Sequence, residues 1–158
     1  MPLHWEDFAV GNVACYGPRT ITREEILAFA AEFDPQPMHA DEEAARATML
    51  GGLVASGWHT CALAMRMIAD GFVLASASLG SPGVEEVRWL RPVRPGDSLT
   101  LRATVVEMRP SASRPGMGFI KFSYEMLNQS DDCVMTLVST GMFARRGFTP
   151  ASAMASGR

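Results

Sequence analysis

The stretch Ser56-Gly57-Trp58-His59-Thr60-Cys61-Ala62-Leu63-Ala64-Met65-Arg66-Met67-Ile68-Ala69-Asp70-Gly71-Phe72-Val73-Leu74 decides the fold. Its spacing predicts one long helix from about Ser56-Gly57 to Leu74, with Ser56 as its N-cap. Trp58, Cys61, Ala62, Leu63, Met65, Met67, Ile68 and Phe72 cover most of the wheel. The polar side chains His59, Arg66 and Asp70 fall on one narrow stripe, with an Arg66–Asp70 pair expected at i, i+4. A helix apolar nearly all round is a buried helix, so the rest of the chain must wrap it. Arg66 and Asp70 interrupt the run and argue against a membrane span.

The second half supplies the wrapping. Val84 to Leu90 is a strand candidate. Leu99, Leu101, Ala103 and Val105 alternate with polar residues, and so do Ile120, Phe122, Tyr124 and Met126. Cys133 to Phe143 makes a last strand, with Gly141 a candidate bulge. Turn signals at Pro95-Gly96-Asp97, Ser111 to Gly116 and Asn128 to Asp132 keep the connections short, which implies antiparallel neighbours. Helices first and strands afterwards give an α+β domain, an antiparallel sheet curled around one apolar helix.

Upstream, Val13 to Tyr16 is a short strand candidate between turns at Gly11-Asn12 and Gly17-Pro18. Thr22-Arg23-Glu24-Glu25 reads as a capping box for a helix carrying Ile26, Leu27, Ala30 and Phe33. That helix should stop near Phe33, because Asp34 precedes Pro35. Pro37 is expected to keep the next turn from re-forming a helix. Asp41 suits the N-cap of a second short helix with Glu42 and Glu43 in its first turn.

The 158 residues fit one domain over 1–146, with an Ala/Ser/Gly-rich tail, 147–158, expected to be disordered. A net charge of −3 argues against a nucleic-acid-coating protein. Cys15, Cys61 and Cys133 make no C-x-x-C and no disulfide framework, and no secretory signal is visible, which together suggest reduced thiols in a cytoplasmic protein. There is no H-x-x-x-H and no cysteine pair to hold a metal, and no cofactor is expected. No G-x-S-x-G surrounds Ser56, which argues against a serine hydrolase.

Two segments carry candidate chemistry. Phe33-Asp34-Pro35-Gln36-Pro37-Met38-His39 holds a carboxylate and an imidazole five positions apart, joined by two prolines that stiffen the connection. Asp34 lies just past a helix C-terminus, where the dipole is expected to raise its pKa toward the range of a general base. The same spacing also fits a helix stop with Asp34 in an Asx-turn and His39 merely packed. Gly51-Gly52-Leu53-Val54-Ala55-Ser56-Gly57 enters the apolar helix and leaves its first amides free to hold an oxyanion, or simply gives a tight entry. His59 is read as a partner on the polar stripe or a pocket-lining residue. Arg88, Arg91 and Arg94 are close enough in sequence to meet phosphates, although 88 and 91 point to opposite faces of a strand.

The run D-P-Q-P-M-H, a short acidic-capped helix and then G-G-L-V-A-S-G-W-H-T resembles the signature of MaoC-like dehydratases, the (R)-specific enoyl-CoA hydratases of the hot-dog superfamily. The matching positions are Asp34, Pro37, Met38, His39 and Gly57, and the resemblance covers roughly residues 5–145. Arg88-Trp89-Leu90-Arg91-Pro92-Val93-Arg94-Pro95-Gly96-Asp97 is similar to the family's strand and turn before the next hairpin. Gln36 stands where the family commonly has Asn, and Ser56 where it has His. The resemblance implies a hot-dog fold and hydration of a trans-2-enoyl thioester to an (R)-3-hydroxyacyl thioester, or the reverse. Asp34 would activate a water for attack at the β carbon, His39 would assist and protonate the α carbon, and Gly57, through its amide, and Ser56 would bind the substrate at the enolate oxygen. It also implies an acyl-CoA substrate, a place in fatty acid metabolism, and a homodimer or higher homo-oligomer. An acyl-CoA thioesterase and a non-catalytic acyl-thioester-binding protein are the competing readings.

Overall fold

A computed structural model describes residues 1–148. The tail expected to be disordered lies outside the described residues except for Gly147 and Phe148, and Phe148 stands against Gly116.

Five strands form one antiparallel sheet in the order β1-β3-β4-β5-β2: β1 (Val13–Thr20), β2 (Ser78–Trp89), β3 (Ser98–Pro110), β4 (Met117–Leu127) and β5 (Cys133–Ala144). The period-2 pattern sets its register. Leu101 lies opposite Met126, Ala103 opposite Tyr124 and Val105 opposite Phe122. All six are buried on the face that meets the helix, and full burial of each larger one contributes about 1.5–3 kcal/mol. A one-residue slip would turn this whole set outward. β2 begins six residues before the expected Val84. Its early part carries Gly80 and Gly83 at positive φ, and the register shifts between them. The irregularity therefore falls on β2 and not at Gly141, which pairs regularly with Ile120.

Four helices precede or fill the sheet: α1 (Arg23–Phe33), α2 (Pro37–Ala40), α3 (Glu42–Arg46) and α4 (Gly57–Ile68). The capping box of α1 is present in both directions. Glu25 N donates to Thr22 Oγ1 at 3.1 Å, and Thr22 N donates to Glu25 Oε2 at 3.0 Å. Asp41 Oδ1 accepts from the amides of Glu43 and Ala44 and caps α3. Pro37, expected to forbid a helix, instead opens one: it is the first residue of α2, where a proline loses no hydrogen bond and its fixed φ suits the turn.

The central helix is shorter than its apolar run. After Ile68 the chain takes one wider turn over Ala69–Val73, closed by Leu74 N donating to Ala69 O at 3.0 Å. Gly71 sits in this turn, and a Cβ there would overlap the Tyr16 ring. The glycine lets β1 approach the helix backbone. Phe72, Phe122, Tyr124 and Phe143 pack around the same end.

The helix is not wrapped all round. Trp58 is 62% and Met65 50% exposed on its outer face, and Trp58 meets the edge of Trp89 at the end of β2. Val84 and Trp89 on β2 and Leu90 just past it are also exposed, and the outer edge of β2 pairs with no described strand. Among the described residues no helix is long and apolar enough to cross a membrane.

His59 departs from the expected polar stripe. Arg66 and Asp70 are exposed and paired at 2.7 Å, whereas His59 is buried and stacks flat on Phe29 of α1 at 4.6 Å. Its Nδ1 has no hydrogen-bond partner. Burial pushes the imidazole below its ordinary pKa of 6.5. The folded state therefore takes up this proton less readily than the unfolded chain. Stability is expected to fall as pH drops below about 6.5, by about 1.4 kcal/mol for each unit of lowering. Urea midpoints at pH 7.5 and 5.5 check this, and His59→Phe should flatten the difference; an unchanged difference would place the sensitivity elsewhere.

Candidate active site

Asp34 is the first residue past α1, and its amide still donates to Ala30 O at 3.0 Å. The Pro35–Pro37 turn then leads directly into α2, which presents His39 on its buried side. The apolar run Leu53–Val54–Ala55 passes beneath, fully buried. It is tied on one side by Val54 N donating to Met38 O at 3.2 Å, and on the other by Ala55 N donating to Val93 O at 2.8 Å. These bonds bring Asp34, His39 and the start of α4 together.

The geometry fixes the imidazole tautomer. His39 Nδ1–H donates to Val54 O at 2.8 Å, because a carbonyl can only accept. A neutral His39 therefore presents the lone pair of Nε2, and Nε2 faces Asp34 Oδ2 at 3.5 Å. That separation is longer than a hydrogen bond. Both side chains are largely buried, yet His39 also lines an open cleft of about 280 Å³ with Gly57, Thr60, Trp89, Arg91 and Val93.

Asp34 is more acidic than its position suggested. Ser56 Oγ–H donates to Oδ2 at 2.6 Å and Gln36 Nε2–H to Oδ1 at 2.7 Å. These two bonds, Ser56 first, hold the carboxyl below its ordinary value of 3.8. The helix-dipole argument pointed the other way and is overturned: direct hydrogen bonds to the charged form outweigh the dipole of a helix end. Ser56 is likewise not the side-chain cap expected of it. It occupies the N-cap position, but its hydroxyl makes no cap bond and goes to Asp34 instead.

The start of α4 is open. The amides of His59 and Thr60 donate to Ser56 O, at 3.0 and 3.1 Å, while those of Gly57 and Trp58 have no backbone acceptor among the described residues. Gly57 carries no Cβ because the Trp89 indole lies against it; a Cβ there would overlap the ring. Trp89 forms a wall of the cleft and was not singled out from the sequence. Its position at the end of a strand gave no sign of contact with a helix 32 residues earlier.

The three arginines separate. Arg88 pairs with Glu86. Arg91 lines the cleft. Arg94 Nη2 donates to Leu50 O at 2.6 Å.

A family model described as the MaoC-like domain matches residues 10–117, more than half of the chain. The chain belongs to the MaoC-like domain family. The MaoC-like dehydratase from Rhodospirillum rubrum shares the fold with a TM-score of 0.82 and 39% identity, over 92% of this chain and 99% of that one. Protein YdeM of Bacillus subtilis is 31% identical over 113 residues, covering 71% of this chain and 79% of its own. Mesaconyl-CoA hydratase of Cereibacter sphaeroides is 28% identical over 145 residues; the match takes in 90% of this MaoC-like domain and 41% of that protein. The architecture is thus the hot-dog fold, and hydratase or dehydratase chemistry is supported at the level of the family.

The role of Ser56 can be tested by substitution. Ser56→Ala removes one of two donors to Asp34. Its carboxyl should move back up toward 3.8, and turnover should fall about tenfold, in line with one hydrogen bond to a charged group. Steady-state kinetics on an enoyl thioester checks this; a loss as large as that of Asp34 itself would make Ser56 a direct participant.

Proposed function

We propose that this MaoC-like domain adds water across the 2,3 double bond of an enoyl thioester, giving an (R)-3-hydroxyacyl thioester, or runs the reverse dehydration. The observation that carries the reading is the facing pair of His39 Nε2 and Asp34 Oδ2, with His39 opening on the same cleft as Gly57, whose amide has no backbone acceptor among the described residues.

A substrate water would sit beside the pair, donating one O–H to each of the two acceptors, since 3.5 Å leaves no room directly between them. With Nδ1–H committed to Val54, His39 Nε2 takes a proton from that water as its oxygen bonds to the β carbon. The ionised Asp34 orients the water and stabilises the imidazolium as it forms. The thioester oxygen becomes an enolate, held by the Gly57 amide at the positive end of α4. The enolate then collapses, and Nε2–H returns the proton to the α carbon. One water is consumed: one of its O–H bonds and the π component of the C=C bond break, one C–O and one C–H bond form, and the dyad ends as it began. The work is divided differently from the sequence-based expectation, in which Asp34 was the base. A carboxylate already accepting two hydrogen bonds is the weaker base of the two.

The acyl-CoA substrate and the homodimer belong to this same proposal. Trp58, Met65, Val84 and Leu90 are exposed, the outer edge of β2 pairs with no described strand, and Leu90 lines the cleft. Covering them with a second copy would remove an exposed edge and an exposed patch together. Light scattering should give a dimer or larger assembly, and a stable active monomer would contradict it.

Crotonyl-CoA is the direct test. Loss of enoyl absorbance without release of free thiol is expected. Thiol release would favour a thioesterase, and saturable binding with neither change would favour a non-catalytic thioester-binding protein.

A further inference from the structure

We infer that the Thr60 hydroxyl is a second donor to the thioester oxygen, joining the Gly57 amide as negative charge collects there. The inference rests on the thioester reading above and adds one more side chain of this protein to the reacting end of the site.

Thr60 lies in the first turn of α4, is 2% exposed, and lines the cleft that His39 and Gly57 also line. A helical threonine hydroxyl commonly donates to a carbonyl three or four residues back, as Thr48 Oγ1 does to Ala45 O at 2.6 Å. Thr60 makes no such bond among the described residues. Ser56 O, four residues back, already accepts the amides of His59 and Thr60, and a carbonyl oxygen has two lone pairs. The hydroxyl is not sealed in either. Among the described residues only the Nδ1 atoms of His4 and His59 are both closed off and without a partner. Thr60 Oγ1 therefore keeps an opening, and the cleft is the opening that Thr60 borders. Its neighbours along the cleft include the buried Val54, Val93 and Val134, none of which offers a side-chain acceptor. A hydroxyl left without a partner in such a wall costs stability that a valine of the same shape would not.

The helix sets where this donor reaches. Residues three apart share a face, and each Cα–Cβ bond tilts toward the helix N-terminus. The Thr60 side chain thus leans back along α4 toward Gly57, whose amide has no backbone acceptor among the described residues. An oxygen seated on that amide has a second lone pair to fill, and the hydroxyl can rotate to meet it from the same face. Both hydrogen bonds strengthen as water adds and the oxygen becomes an enolate, and both donors keep their protons. The effect therefore belongs to the transition state more than to the bound ester.

Thr60→Val keeps the shape and removes the donor, and Thr60→Ser keeps the donor. With crotonyl-CoA, Thr60→Val should lose on the order of 10–100-fold in kcat with KM little changed. Its urea midpoint should equal or exceed that of wild type, which a merely structural role would not give. Thr60→Ser should stay within about threefold of wild-type kcat. A Thr60→Val enzyme as fast as wild type overturns the inference, and so does a Thr60→Ser enzyme as slow as Thr60→Val. If Thr60→Val does not fold, Thr60→Ala takes its place in the same comparison. A second readout does not need turnover: the infrared carbonyl stretch of bound butyryl-CoA, isotope-labelled at its carbonyl, a saturated ester that cannot be hydrated. Wild type and Thr60→Ser should lower the stretch more than Thr60→Val does. Equal shifts in all three, or no bound ester, overturn the inference. If wild-type protein does not hydrate crotonyl-CoA, the hydratase reading fails separately, and the carbonyl stretch alone judges Thr60.

Discussion

His39→Gln should lower kcat/KM for an enoyl thioester by about 10²–10⁴-fold, the range expected when a positioned proton-transfer group is lost. The folded state should change little by comparison. Glutamine keeps the size of the side chain but has no site that takes and returns a proton at neutral pH. Asp34→Asn should produce a loss of the same order for a different reason. The amide cannot balance an imidazolium, and it places N–H donors or a weaker acceptor where Ser56 Oγ and Gln36 Nε2 now donate. The two losses should not add in the double variant, because the proposed reaction has both residues serve one proton transfer. Steady-state kinetics with a urea melt on each variant separates lost chemistry from lost folding. Near-wild-type rates in either single variant would remove that residue from the reaction.

Gly57→Ala is expected to have the second large effect, and it should touch both stability and rate. Its new methyl group would lie inside the Trp89 indole. The ring must shift away from the cleft wall, which typically costs about 1–3 kcal/mol in a packed site. The displaced ring and the altered first turn of α4 also disturb the amide proposed to hold the enolate oxygen. Losing one such donor costs about 10²–10³-fold. Trp89→Leu in the Gly57→Ala background makes room for the methyl group and should restore most of the stability, a coupling that contacting residues show and distant ones do not. Equal melts for wild type and Gly57→Ala would mean that the indole does not rest on the helix start as described.

Much of this was legible in the residues. Alternation along Leu99–Val105 and Ile120–Met126 specified two central strands and their inner face. Thr22 with Glu25 marked the start of α1, and the Asp-Pro pair marked its end. Asp34, His39 and the glycine opening α4 were picked out by position, and the fold brings the first two within 3.5 Å. What escaped depended on partners far away in sequence. The apolar run 56–74 could not show that β1 comes close enough to need a glycine at 71, or that the helix widens there. A wheel diagram placed His59 with Arg66 and Asp70, but α1 covers one end of that stripe and leaves the other exposed. The dipole argument for Asp34 used only its own helix, whereas its acidity comes from Ser56, 22 residues on. The contact of Trp89 with Gly57 joins two segments that no local pattern connects.

The most direct test of the dyad and its amide is the product formed from crotonyl-CoA in deuterated water, read by NMR. A hydroxyl on the β carbon and a single deuterium on the α carbon, with the thioester intact, is the expected outcome. Recovery of unchanged enoyl thioester, or of free crotonate, would contradict the account.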